Sequence, residues 1–132
     1  MKTKSFDRSK AVITAFVRAY IEAALWSTPD DTEEVGDKCL DANFDMRNLS
    51  DECLQSCIQD CAKFQKENEE LLSQAGTDEQ NGHDFWLTRN RHGAGFWCRD
   101  YEKTVGEKLT EAAHDFGEVY LYVANGDEIW SH

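Results

Sequence analysis

The chain has 132 residues, of which 40% are hydrophobic and 30% charged, and its formal net charge is −12. Those totals fit one folded domain over residues 1–132 with a real core, and they exclude global disorder. No apolar run reaches the length of a membrane span, and the negative field repels nucleic-acid backbones, so neither a membrane nor a nucleic acid is the expected partner.

The charge is uneven. Residues 1–26 carry five basic and two acidic side chains, whereas residues 27–52 carry nine acidic and two basic ones. "MKTKSFDRSKAVITAF" has the lysines of a signal peptide's n-region, but Arg18 and Glu22 interrupt its apolar positions at helical spacing, so it reads as a mature helix. Phe6, Ile13, Phe16, Val17, Tyr20, Ile21, Ala24 and Leu25 recur at three- and four-residue steps, which predicts an amphipathic helix over 5–26. Pro29 ends it, and 27–37 is expected to be an acidic surface loop.

Residues 38–48 show no firm period. A second helix is expected to begin at Ser50, a good N-cap followed by Asp51 and Glu52, and to run to about Gln74, with Gly76 as its stop. "HDFWLTR" and "AGFWC" are short aromatic-rich runs joined by "NRHG", and they predict a hairpin with Gly93 in its turn. Val105 to Phe116 repeats like a third helix stopped by Gly117. "EVYLYVA" reads as a strand that returns through Asn125-Gly126 into "DEIW". The expected fold is therefore α+β in the order α-α-β-β-α-β-β, two N-terminal helices on a four-stranded, mainly antiparallel sheet.

Five cysteines, an odd number, with no secretion signal point to reduced thiols in a cytoplasm. Cys53, Cys57 and Cys61 lie at i, i+4 and i+8 on one helical face, which favours small core residues over a metal site lacking a tight cysteine pair on a turn. His83-Asp84 and His114-Asp115 resemble the dipeptide of metal-dependent phosphohydrolases, but four histidines are too few for that ligand set. No phosphate-binding glycine loop, nucleophile triad or cofactor pattern is present.

Residues 83–100 hold four large aromatics, three arginines and two histidines. On a hairpin, one face would carry Asp84 and Trp86, one end Arg99 and Asp100, and the tip Arg91 and His92. Tryptophan with arginine suits a protein-binding hot spot, and aromatics with arginine also suit nucleotides or single-stranded nucleic acid. A metal-dependent hydrolase on His83, Asp84 and Asp100 is the weakest alternative. The acidic loop adds Asp30, Asp31, Glu33 and Glu34 as candidates for contact with a basic partner.

"GHDFWLTRNRHGAGFWCRD", followed by "GEKLTEAAHDFGEVYLYVANGDEIW", resembles a family of small proteins encoded by bacteriophages and mobile elements. Cys98 stands where that pattern usually has aspartate. The resemblance implies a host-bacterium cytoplasm and a protein that modulates a host factor or defence system. Together these readings lead to a non-enzymatic accessory protein that binds a host protein, with nucleotide or single-stranded nucleic-acid binding as the alternative.

Overall fold

The computed structural model describes residues 6–30, 32 and 38–132. Five α-helices precede a two-stranded antiparallel sheet: α1 (Ala15–Ser27), α2 (Asp51–Glu67), α3 (Glu69–Ser73), α4 (Asp78–Arg89), α5 (Lys103–Asp115), β1 (Leu121–Ala124) and β2 (Glu128–Ser131). Short 3₁₀ turns lie between them. The chain is thus a mixture of helix and strand, but its order is α-α-α-α-α-β-β.

α1 starts later than the periodicity suggests. Thr14 caps it, accepting a hydrogen bond from the Val17 N–H, and only Arg8–Lys10 forms a 3₁₀ turn before it. Val12, Ile13 and Thr14 are β-branched, and their stiffness favours the extended backbone seen there. Ser50 caps α2 as expected, its hydroxyl 3.0 Å from the Cys53 nitrogen. The long second helix is broken at Asn68, whose side-chain amide donates to the Phe64 carbonyl and closes α2.

The largest correction concerns residues 83–89. They form the second half of α4, not a strand. Thr77 caps α4, and Asp78 and Glu79 occupy its positive end. "FWC" is a 3₁₀ turn (Phe96–Cys98), so no hairpin spans 83–100 and the sheet has two strands. α4 is buried on nearly every side: Asn81, Gly82 and all of Asp84 to Arg89 are inside. A helix enclosed in this way shows no amphipathic period, and its dense aromatics imitate a buried strand. Between α4 and the Phe96–Cys98 turn the residue with a left-handed φ is Arg91, at 57°, and not Gly93.

α4 lies directly against α1. A Cβ on Gly82 would stand 2.1 Å from the Phe16 carbonyl oxygen, so only glycine permits this approach. Around that crossing the core is aromatic. Phe64 stacks on Phe85 with ring centroids 4.0 Å apart, and Phe16, Tyr20, Phe96 and Phe116 surround the pair. Each such ring contributes roughly 2–3 kcal/mol by burial. The Asn125-Gly126 turn has φ values of 53° and 90°, as the tight hairpin requires. β2 is tied to the start of α2 by the Ser50 N–H, which donates to the Ile129 carbonyl at 2.8 Å.

Candidate functional site

Two of the six candidates of the 83–100 stretch, Asp84 and Trp86, lie inside the protein. Asp84 is fully buried and grips Arg99 in a fork: Nη2 to Oδ1 is 2.6 Å and Nε to Oδ2 is 3.0 Å. Gln80 Nε2 donates to the same carboxylate at 3.1 Å. Burial pushes the Asp84 carboxyl up, but His83 and Arg99 outweigh it and hold the group below the usual carboxylate range. A carboxylate held charged, paired and enclosed is a structural anion, not a general base. Burial, aided by the Asp84 charge, pushes the neighbouring Tyr101 hydroxyl up to about 12.

Arg89 occupies a second internal site. Its Nε donates to Gly117 O and its Nη2 to Phe116 O, while Nη1 reaches Tyr20 Oη and Asp60 Oδ2 at 3.0 and 2.8 Å. The guanidinium also faces the rings of Phe85 and Phe116. It therefore joins the C-terminal ends of α4 and α5 to α1 and α2, with four of its five N–H donors used.

The remaining expectations divide. Trp86 is only 3% exposed and donates its indole N–H to Ser27 Oγ at 2.9 Å, so its ring is not available for stacking. Asp30 is also turned inward, accepting from the Thr32 N–H and hydroxyl and from Asn43 Nδ2. The Thr32 hydroxyl is the main cause that lowers its pKa. Arg91 and Asp100 are exposed and His92 is half-buried, but they do not converge with Asp84 into one site. Asp31, Glu33 and Glu34 lie outside the described residues.

The outer wall of α1 presents a different feature. Arg18, Ile21, Glu22, Leu25 and Trp26 face the 3₁₀ segments over 40–48, which contribute Asp41, Phe44, Asp45 and Met46, and the start of α4, which contributes Thr77, Glu79, Gln80 and His83. The groove between them has a volume of about 790 Å³. Trp26 is 44% exposed, and its ring lies 5.3 Å from that of His83 at an interplanar angle of 31°. His83 Nδ1 is buried with no hydrogen-bond partner among the described residues, 3.7 Å from Asp84 Oδ1, and the residue also lines the groove.

The charges of the groove are one-sided. Glu22, Asp41, Asp45 and Glu79 line it against Arg18 alone. Asp45 is engaged by Arg47 at 2.8 Å, whereas Glu22, Asp41 and Glu79 form no ion pair among the described residues. A smaller cleft of about 510 Å³ shares Arg18, Asp45 and Met46 and continues past Ile13 and Leu54 toward Arg8. Sequence reasoning identified Glu22 as solvent-facing but not Trp26. The available signal was a large aromatic one turn beyond Glu22 at the end of an otherwise buried helix.

Cys53, Cys57 and Cys61 are buried and unbridged, and burial pushes the Cys61 thiol well above its ordinary value. No group of three or more histidine, cysteine or acidic side chains placed to hold a metal ion occurs among the described residues. No described helix is long and apolar enough to cross a membrane. No protein family, curated protein or solved structure matches this chain.

Proposed function

We propose that this protein works by binding another protein, and that the groove along α1 is where it does so. The observation that carries this reading is the Trp26–His83 pair, partly open to solvent above an apolar floor and rimmed by three carboxylates that form no ion pair among the described residues. Exposed tryptophan over a formed apolar surface is the usual anchor of a protein interface. α1 has 13 residues, about 20 Å of helix, and the groove along it suits an amphipathic segment of similar length. The carboxylates of Glu22, Asp41 and Glu79 select basic flanks on that segment. A host-cell protein is the partner that the resemblance to phage-encoded proteins favours.

The nucleotide alternative has less to stand on, because Trp86, Arg89 and Arg99 are committed to internal contacts. The test is calorimetric titration with a 16-residue amphipathic peptide carrying a leucine stripe and lysine flanks. Binding should weaken at least tenfold, about 1.4 kcal/mol, on Trp26→Ala, and fall again on Glu22→Lys with Glu79→Lys. No binding, or binding indifferent to all three changes, overturns the proposal.

A further inference from the structure

The hairpin carries an interaction surface separate from the groove. Tyr120 and His132 exchange both backbone hydrogen bonds, at 2.8 and 2.9 Å. By the alternation of an antiparallel ladder, Tyr122 with Trp130 and Ala124 with Glu128 are bonded pairs as well. The N–H and C=O groups of Leu121 and Val123 therefore point away from β2, along the outer edge of β1. No backbone or side-chain hydrogen bond to them occurs among the described residues. At one end this edge is closed, since the Val119 N–H donates to Asn90 Oδ1 at 2.8 Å. The far side of β2 is already occupied, through Ile129, by the Leu49–Ser50 segment.

This open edge has none of the usual protection. Residues 119–124, "VYLYVA", contain no charge, no proline and no glycine, in a chain of net charge −12. The solvent face is aromatic where an exposed sheet face is ordinarily polar: Tyr120 is 58% exposed and Tyr122 45%, with Trp130 and His132 beside them.

We propose that the outer edge of β1 pairs with the same edge of a second copy of this chain, forming a four-stranded antiparallel sheet about a two-fold axis at Tyr122. The free groups are self-complementary about that residue. Leu121 of one copy faces Val123 of the other on both sides of the axis, which gives four backbone hydrogen bonds. Tyr122 meets its own equivalent as a close, non-bonded pair, and the tyrosines form one stripe across the joined face. Because the edge itself carries no charge, the mutual repulsion of two strongly acidic copies is smallest there. One short edge buries less than the roughly 1,600 Å² of a standard interface, so the dimer is weak and forms with rising concentration.

The test is sedimentation equilibrium up to about millimolar protein, the range in which weak complexes assemble, with amide exchange read residue by residue. Dimer should appear as concentration rises, with the Leu121 and Val123 amides becoming protected in step. Val123→Pro removes an N–H that the β1–β2 ladder does not use and should leave a folded monomer. Tyr122→Lys sets two cations opposite each other on an exposed face and should give the same result without touching the core. A monomer at every concentration overturns the proposal, as does a dimer that survives both changes. Protection of Leu121 and Val123 only when a different protein is added also overturns it and assigns the edge to a foreign strand.

Discussion

The two ends of α4 turn their side chains to opposite uses. At its start, Gln80 and His83 reach the groove, where the His83 ring leans on a half-exposed Trp26. At its end, Trp86 and Arg89 are enclosed, with their polar atoms bonded to Ser27, Tyr20, Asp60 and two carbonyls at the end of α5. Residue type alone would assign the tryptophan and arginine of the second region to binding. Enclosure assigns them to holding the fold, and the proposed binding role falls to a tryptophan on another helix. A buried tryptophan or arginine whose donors are satisfied by the fold has nothing left to offer a partner.

The comparison breaks most severely at Arg89. Arg89→Met should destabilise the protein by about 4 kcal/mol, because Tyr20 Oη, Asp60 and the Phe116 and Gly117 carbonyls lose their shared donor. Urea denaturation measures this. A loss below about 1 kcal/mol would place Arg89 among surface arginines. Gly82→Ala follows at about 2–3 kcal/mol, since its methyl would overlap the Phe16 carbonyl and push α1 from α4.

Asp84 sharpens the contrast through pH. Its folded pKa is depressed, so the stabilisation it brings is present above its unfolded value, near pH 4, and is lost as pH falls through the folded value. The wild-type stability curve should therefore decline below about pH 4, and Asp84→Asn should flatten that decline while lowering stability at neutral pH. Parallel acid limbs for the two proteins would show that Asp84 is not held as an internal anion. Trp26→Ala should cost less, about 1–2 kcal/mol, because nearly half of the ring's surface is already in water. The smallest effect belongs to Arg91, held at a φ of 57°. Arg91→Gly should raise stability by about 0.5 kcal/mol and leave peptide binding unchanged.

The sequence marked clearly those elements whose signals are local. Ser50 and the acids after it announced α2, the 3.6-residue repeat announced α5, and Asn125-Gly126 announced the hairpin. α4 was hidden because tertiary enclosure removes the polar face on which periodicity depends. Its one local sign was Thr77 followed by Asp78 and Glu79, a capped N-terminus ahead of the aromatics. The break at Asn68 is a single amide closing on the Phe64 carbonyl, which composition does not distinguish from a continuous helix. The groove was illegible for a different reason. Its walls come from α1, residues 40–48 and the start of α4, segments far apart in the chain. Asp84 and Arg99 stand 15 residues apart, and the hairpin expected over 83–100 does not exist; the helix and turn that bring them together, and their burial, depend on packing that no spacing reveals.

The most direct measurement is a residue-resolved NMR titration of the intact protein with the leucine–lysine peptide. The account predicts amide shifts gathered on Arg18 to Trp26, Asp41 to Met46 and Thr77 to His83, with Arg91 to Asp100 unmoved. Shifts centred on Arg91, His92 and Asp100, or no shifts at all, would contradict it.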